Sequence, residues 1–206
     1  MKAFGKTVGK TVVFCLVMML MCSFVYPLAL TGVSQLTMKA KADGSKVDKD
    51  GNLTTDTKEA VGSALIGQDF TEDCYFQGRV SAVNYNTYTE EQKESGEYAG
   101  VASGSYNYAN SNPELKERME KDLEQFLKEH PGVKAEDVPA ELLTASGSGL
   151  HPHVSPESAE VQIPTVAKNS GLSEEEVKKI VEENTEKKTL GVFGEERVNV
   201  LGCNLD

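Results

Sequence analysis

One uncharged stretch near the N-terminus constrains this chain more than any other feature. Residues 11–38 contain no Asp, Glu, Lys or Arg, and most positions up to Val33 are apolar. The 23 residues of range 11–33 would span roughly 34 Å as a helix, against a hydrocarbon core of about 30 Å. They therefore predict a single transmembrane helix, which we expect Pro27 to kink.

The charges around this stretch predict its orientation. Lys2, Lys6 and Lys10 precede it, and the positive-inside rule places such a basic end in the cytoplasm. We therefore expect residues 1–10 to be cytoplasmic and residues 59–206 to form an extracytoplasmic domain.

A cleaved signal peptide is the alternative interpretation of the N-terminus. The basic start fits it, and Ala40-Lys41-Ala42 is an acceptable small-x-small cleavage site. The apolar run, however, exceeds the usual signal core of about 7–15 residues. Its length therefore favours a retained anchor.

The remainder of the chain is acidic. Removing the three N-terminal lysines changes the net charge from −11 to −14. Such a surface repels nucleic acid and anionic lipid, so we exclude both as partners. The charge either favours cations at a membrane face or only keeps the domain soluble.

The cysteines do not form a recognisable framework. Cys15 and Cys22 lie in the predicted helix, and Cys74 and Cys203 are far apart in the outer domain. No pair has the spacing of zinc ligands. Whether Cys74 and Cys203 form a disulfide in an oxidising compartment is left open by the sequence.

The outer segment has the pattern of a mixed α/β domain. Polar residues 39–57 predict a flexible tether within a linker at 34–58. Residues 74–83 are rich in aromatic and β-branched side chains and predict a strand. Residues 84–111 are dense in Tyr, Asn, Ser and Gly and predict a long loop.

Three helices follow, each with a distinct start signal. Pro164 is expected to split the second of them, and the apolar residues within 197–205 predict a final strand. The three N-cap signals are Asn112 with Pro113, Ser155 with Pro156, and the capping box of Ser173 with Glu176.

The motifs of common enzymes are missing from the sequence. It has no phosphate-cradling GxxxxGK[ST] loop, no dinucleotide glycine fingerprint and no GxSxG elbow. The densest local signal is the run 143–155, LTASGSGLHPHVS. Its residues Ser146, Gly147, Ser148 and Gly149 form either an anion-binding nest of backbone amides or a tight turn.

Two histidines follow that run. His151 and His153 would share one face of a strand, which is one part of a metal site, but no third ligand is evident. A hydrolase that pairs Ser146 or Ser148 with His153 is a further alternative. The sequence supplies neither an orienting acid nor an oxyanion hole for it.

Four more residues are candidates for structural or partner contacts. Arg79 and Arg197 lie in strand-like segments of an acidic domain, and we expect them to pair with carboxylates of the domain or of a partner. Pro27 and Gly32 give the predicted anchor a small, kinked face that suits packing against another helix. Plain lipid exposure is the alternative for that face.

Short segments in a fixed order carry a family resemblance. They run from the anchor to the C-terminus: Tyr26-Pro27-Leu28 with Thr31-Gly32 and Gln35; Gly62-Ser63 with Leu65–Gln68 and Phe70; Tyr75-Phe76 with Arg79 and Ser81-Ala82; Ser111-Asn112-Pro113; Leu143–Leu150 with Pro152–Pro156; and Gly194-Glu195 with Arg197–Leu201 and Asn204-Leu205. Together these segments resemble the C subunit of the potassium-transporting P-type ATPase, the KdpC family.

The chain departs from the family pattern at three positions. Val80 and Glu196 stand where the family usually has proline, and His151 stands where it usually has aspartate. The loop 85–110 is a loose match. These departures leave the predicted fold intact but give no role to position 151.

The resemblance implies a non-catalytic accessory subunit of a high-affinity potassium uptake complex in the bacterial cell membrane. Its partners would be a channel-like potassium-binding subunit, a P-type pump subunit and a small one-helix subunit; potassium would be the transported ion. The family is also described as a catalytic chaperone that raises the pump's ATP affinity. A direct ATP contact would involve Gln162 or the turn 146–149, and an indirect effect would pass through the membrane subunits.

Two other hypotheses have different consequences. A freestanding extracytoplasmic hydrolase would turn over substrate alone and lose activity on His153→Ala. A ligand-binding module would depend on the loop from Tyr98 to Tyr108. We favour the accessory subunit because it alone accounts for the anchor, the acidity, the missing catalytic motifs and the ordered segments together.

Overall fold

The computed structural model describes the backbone of residues 2–96 and 100–206 and, within these ranges, the side chains from Phe4 onward. It opens with α1 (Lys2–Leu20), a π-helical turn (Met21–Val25) and α2 (Tyr26–Thr37). Among the described residues, the continuous segment Phe4–Thr37 is the one helix long and apolar enough to cross a membrane. Its large apolar side chains are exposed, as expected of a surface that lipid or partner helices cover.

Pro27 lies just after the π-helical turn. The wider turn is closed by the amide of Tyr26, which donates to the carbonyl of Met21. A proline ring clashes with the carbonyl four residues earlier, and a π turn gives that carbonyl room. The irregularity that the sequence predicts at Pro27 therefore takes the form of a local widening within a continuous helix.

The segment predicted as a flexible tether contains regular structure instead. It forms α3 (Lys39–Ala42) and β1 (Lys46–Val47), and β1 pairs antiparallel with β2 (Gly62–Ser63). The Asp48 carboxylate stabilises a turn directly after β1, because it accepts hydrogen bonds from the amides of Asp50 and Asn52, both at 2.9 Å. Polar composition here reflects a tight Asx-type turn, a structure that Asp and Gly favour as much as they favour linkers.

The outer domain combines short helices with a small sheet. Strands β3 (His153–Val154), β5 (Arg197–Asn199) and β4 (Thr185–Glu186) form an antiparallel sheet in that spatial order. Val154 and Thr185 are both paired to Val198. The elements are 3₁₀ turns at Asn84–Asn86, Ala135–Asp137 and Ala140–Leu142, helices α4 (Glu90–Ser95), α5 (Pro113–Glu129), α6 (Pro156–Glu160), α7 (Ile163–Ser170), α8 (Glu174–Glu183) and α9 (Val200–Leu205), and strands β3 (His153–Val154), β4 (Thr185–Glu186) and β5 (Arg197–Asn199).

The predicted helix starts are confirmed. The side chains of Asn112, Ser155 and Ser173 each accept a hydrogen bond from an amide of the first turn. Pro164 lies in the first turn of α7, so the second predicted helix is split as expected. The long loop holds α4 and one 3₁₀ turn; Met1 and residues 97–99, which include Tyr98, lie outside the described residues.

The hydrophobic core lies between the helices and one face of the small sheet. Phe76, which is 2% exposed, brings the otherwise irregular segment 74–83 into it. The buried cluster consists of Phe76, Phe126, Leu142, Val154, Ala159, Ile163, Val166, Ala167, Val177, Val181, Val198, Val200 and Cys203.

Two strand predictions are corrected by the structure. Residues 74–83 form no strand, because side-chain amides bond to the main chain of Phe76 and Gln77 where a strand partner would lie. The predicted C-terminal strand stops at Asn199, whose side chain accepts from the amide of Gly202 at 2.9 Å. Asn199 is thus the N-cap of α9, and the chain ends as a helix.

Candidate functional site

The run 143–155 meets the segment 79–86 at one junction, which we call the Ser81 junction. It comprises Arg79, Ser81, Tyr85, Thr144 and Gly149. The Ser81 hydroxyl donates to the carbonyl of Gly149 at 2.6 Å and accepts from the amide of Tyr85 at 2.9 Å. One side chain therefore joins two segments that the sequence separates by more than sixty positions.

Gly149 lies where a larger residue would not fit. Its φ is +67°, and a Cβ there would lie 2.6 Å from Val83 Cγ2 and 2.9 Å from the carbonyl oxygen of Gly104. Gly104 in turn donates its amide to the carbonyl of Ser148 at 2.9 Å. The glycine therefore allows three chain segments to approach one another closely.

Tyr85 completes the Ser81 junction, and its backbone has an unfavourable conformation. Asn84, Tyr85 and Asn86 have left-handed φ angles of 48°, 49° and 56°, which asparagine tolerates better than tyrosine. The Tyr85 hydroxyl donates to the carbonyl of Arg79, and burial, with the nearby Asp69 carboxylate, raises the pKa of Tyr85 to about 12. Tyr85 therefore stays a neutral donor, and its contacts offset the unfavourable backbone.

Arg79 behaves differently from the expected ion pair. Its guanidinium contacts the carbonyl and hydroxyl oxygens of Thr144 at 3.5 and 3.4 Å, and no carboxylate within the described residues lies within 4 Å of it. Its Nε is buried without a hydrogen-bond partner among those residues. Arg79 also lines a polar cavity of about 220 Å³, together with Tyr85, Asp122 and Glu129.

Glu141 lies near Arg79 and was missed by sequence reasoning. Burial acts to raise the pKa of this carboxyl, but hydrogen bonds from Ser158 and Ser155 and the Arg79 charge outweigh burial and hold it below its usual range. The Ser155 amide is one of these donors, so Glu141 fixes the start of α6. No local motif marks Glu141, because its partners lie fourteen or more positions away.

Gln162 is a buried structural residue in this fold. It is fully inaccessible. Its Oε1 accepts from the Gln77 amide at 2.8 Å, and its Nε2 donates to the carbonyls of Gln77 and Ser158 at 3.2 and 2.9 Å. Both ends of the side-chain amide are thus engaged in hydrogen bonds within the domain, and an ATP contact at Gln162 stays a prediction.

Two of the four amides of the turn 146–149, those of Ser146 and Gly149, have hydrogen-bond partners. Ser146 donates to the carbonyl of Val80 at 3.2 Å, Gly149 donates to Ser146 Oγ at 2.9 Å, and Leu150 donates to Ser148 Oγ at 3.1 Å. Gly147 has no heavy atom near the position of a Cβ, so it faces open space. The engaged amides fit a tight turn, but those of Gly147 and Ser148 have no partner within the described residues, so the anion nest stays a prediction.

The polar contacts of His153 are with groups other than the two serines. His153 Nε2 lies 3.5 Å from Glu186 Oε1 and 3.5 Å from Asn199 Nδ2, and burial lowers its pKa and that of His151. The hydroxyls of Ser146 and Ser148 accept amides of their own turn. Over residues 2–96 and 100–206, no group of three His, Cys, Asp or Glu side chains is placed to hold a metal ion.

Four further residues that the sequence analysis named have simple surroundings. Arg197 forms an ion pair with Glu186 across the β4–β5 hairpin. Both Cys74 and Cys203 are free thiols, and both line one cavity of about 360 Å³. Gly32 has no heavy atom within 4 Å of a Cβ position, so the small face of α2 is open to a neighbouring helix.

The fold and site define a class of protein: a helix of membrane-spanning length followed by a mixed α/β domain whose distant segments are joined by side-chain hydrogen bonds. Comparison with known proteins is more specific. The family model described as KdpC, K⁺-transporting ATPase, c chain, matches residues 8–206. The chain belongs to the KdpC family.

Named relatives support the same assignment over the whole length. A protein of Clostridium kluyveri is 53% identical over 206 residues, covering 100% of this chain and 95% of the relative. Proteins of Clostridioides difficile and Caldanaerobacter subterraneus subsp. tengcongensis are 52% and 45% identical, each covering 98% of this chain and 96% and 94% of the relative. Each is named potassium-transporting ATPase KdpC subunit.

Proposed function

We propose that this chain is the non-catalytic accessory subunit of an ATP-driven potassium uptake complex. The observation that carries the proposal is the extent of the family match: it runs from residue 8 to residue 206 and so includes both the apolar helix and the outer domain. The partners are a channel-like potassium-binding subunit, a P-type pump subunit and a small one-helix subunit. The chain contributes to their assembly.

The helix Phe4–Thr37 serves as the membrane anchor in this proposal. Lys2, Lys6 and Lys10 keep its start in the cytoplasm, and the acidic domain lies outside. Pro27 and Gly32 form the face that packs against a partner helix, because small residues allow close approach in lipid. The open space beside Gly32 supports that role.

The orientation has a direct test with a matched control. Lys49 is exposed in the turn after β1, and Lys6 lies in α1 before the apolar stretch. In intact cells, a membrane-impermeant maleimide should label Lys49→Cys and should label Lys6→Cys only after permeabilisation, in a chain whose native cysteines are replaced. The reverse pattern would contradict the proposed topology.

We expect the chain to affect ATP use only indirectly. The side-chain amide of Gln162 is committed to Gln77 and Ser158, and the amides of Ser146 and Gly149 in the turn 146–149 are engaged within the domain. We therefore favour a coupling through the membrane subunits, of about 1–3 kcal/mol in typical allosteric systems, over an ATP site on this chain. Saturable ATP binding by the full-length purified chain would favour the direct contact instead.

Potassium-limited growth tests the accessory role. Cells that lack this gene should fail to grow when potassium is scarce, and the full-length chain should restore growth. Purified complex without the chain should show weaker subunit association and lower ATP hydrolysis. Hydrolysis of esters or peptides by the purified chain alone, abolished by His153→Ala, would contradict the proposal and support the hydrolase.

A further inference from the structure

The hairpin between β4 and β5 ends in an exposed apolar tip, which we call the 190–193 tip. Leu190, Val192 and Phe193 are 85%, 75% and 65% exposed. They are the large apolar side chains of the uncharged run 189–194, in a domain whose net charge is −14 once the N-terminal lysines are set aside. A concentrated apolar patch on a strongly acidic domain marks an interaction surface.

The tip has a fixed shape. Thr189 and Phe193 exchange two main-chain hydrogen bonds, of 2.8 and 3.0 Å, and Gly191 donates to the carbonyl of Lys188 at 3.0 Å. Leu190 has a left-handed φ of 55°, a conformation that costs a β-carbon-bearing residue on the order of 1–3 kcal/mol. The backbone therefore holds the three side chains in one outward arrangement.

Two of the three cations beside the tip are already paired, whereas Lys187 is exposed and forms no ion pair within the described residues. Lys188 lies 3.2 Å from Glu195, and Arg197 pairs with Glu186 further along the hairpin. These two cations are thus not free to bind anionic lipid headgroups. A fluid bilayer also requires no particular backbone shape, whereas a pocket in a protein does. A protein pocket without strong charge therefore suits the tip better than a lipid surface.

The exposed apolar area of the 190–193 tip limits which kind of protein partner can cover it. Three side chains of this size expose about 400 Å², half of the roughly 800 Å² per partner that a stable complex of freely diffusing proteins buries. A second free copy of this chain is therefore a poor occupant. A small contact suffices when both partners are held in one assembly, because the effective concentration is then about millimolar.

We propose that the 190–193 tip inserts into an apolar pocket on the extracytoplasmic surface of a membrane-embedded subunit of the same complex. This inference rests on the proposed function, which supplies a partner held in the same membrane. Phe193 and Leu190 anchor the contact, and Val192 completes its apolar surface.

Photocrosslinking in assembled membranes tests this contact. The probe is p-benzoylphenylalanine at position 193 of the full-length chain, with the same group at Val101, which is 83% exposed in another loop, as the matched control. Position 193 should crosslink to a larger membrane subunit, and position 101 should not. Adding Leu190→Ser should reduce the 193 crosslink about tenfold.

Two results would overturn the inference. One is a crosslink from position 193 to lipid or to a second copy of this chain; the other is a yield of subunit crosslinks no higher than at position 101. Co-purification of the subunits in the same samples separates the two proposals. If the complex is intact while position 193 fails to reach a subunit, the docking contact is wrong and the accessory function stands.

Discussion

The side-chain amide of Gln162 forms both hydrogen bonds that a neighbouring strand would offer to Gln77: it accepts from the Gln77 amide at 2.8 Å and donates to the Gln77 carbonyl at 3.2 Å. Asn204 does the same for Phe76, at 2.7 and 2.9 Å. The segment that links the membrane-proximal region to the core is therefore held by two side-chain amides. Replacing them would leave main-chain groups unpaired at the edge of the core.

Gln162→Leu should destabilise the domain. The substitution keeps the approximate volume but leaves the amide and carbonyl of Gln77 without their partner, at a cost of about 1–3 kcal/mol for each group that stays buried. Chemical denaturation of the full-length chain in detergent, followed by circular dichroism, measures the change. The control is Gln125→Leu, an exposed glutamine on α5, which should shift stability by less than about 0.5 kcal/mol. Equal denaturation midpoints for the two variants would contradict the stabilising role of the Gln162 hydrogen bonds to Gln77.

Gly149→Ala should be far more damaging than Gly147→Ala. At Gly149 a Cβ meets Val83 and the Gly104 carbonyl at less than 3.0 Å, and the φ of +67° adds strain. At Gly147 a Cβ meets nothing within 4 Å. We expect a loss of about 1–3 kcal/mol for the first and a change within about 0.5 kcal/mol for the second in thermal unfolding. Similar melting temperatures would show that the Ser81 junction is looser than described.

Stability should fall as the pH drops through the range of histidine titration. Burial lowers the pKa of His130, against the partial opposition of Glu129 and Asp73, and burial also lowers the pKa of His151 and His153. Because the folded pKa values are depressed, the unfolded chain binds protons first, at its ordinary pKa of about 6.5. The stability held by neutral histidines is complete above that pH and is lost as the pH falls toward the folded values.

His130 offers the cleanest test of that pH dependence. It is 2% exposed, its ring lies 4.1 Å from the Phe126 ring, and neither nitrogen has a hydrogen-bond partner among the described residues. His130→Leu should therefore fold and should flatten the decline in unfolding free energy between about pH 7.5 and 5.5. An unchanged decline would mean that His130 stays accessible to protons in the folded domain.

Cys203 should resist thiol reagents while Cys74 reacts. Burial, with the nearby Asp206 carboxylate, raises the pKa of the Cys203 thiol to about 12, so at pH 8 only about one thiol in ten thousand is ionised. Iodoacetamide labelling followed by peptide mass spectrometry measures both sites, and labelling in denaturant supplies the control. Equal rates in the folded protein, or a mass that shows the two thiols joined, would contradict the assignment of two free cysteines.

The accuracy of the sequence predictions depends on how local the determining contacts are. Asn112, Ser155 and Ser173 cap their helices through amides two or three residues away, and all three caps are confirmed. Pro164 acts through its own missing amide and also marks a helix start. The apolar stretch likewise predicts a helix over 11–33 from composition alone, and the observed helix Phe4–Thr37 includes that range.

Contacts between distant segments account for what the sequence did not reveal. The extended segment 74–83 has the composition of a strand, but its partners are side chains 85 and 128 positions away. Asn199 ends strand β5, and its side chain caps α9 by accepting from the Gly202 amide, so the strand predicted over 197–205 stops there. Ser81 lies in a motif that marks the family, yet only the fold explains that its hydroxyl joins Gly149 to Tyr85.

Purification of the tagged full-length chain from potassium-starved cells in mild detergent, followed by intact mass spectrometry of every subunit, tests the central claim most directly. If this chain is the accessory subunit, a channel-like subunit and a P-type pump should be recovered in equal amounts with it, and its mass should include the helix Phe4–Thr37. Recovery of the chain alone, or of a chain cleaved after Ala42, would contradict both the retained anchor and the accessory role.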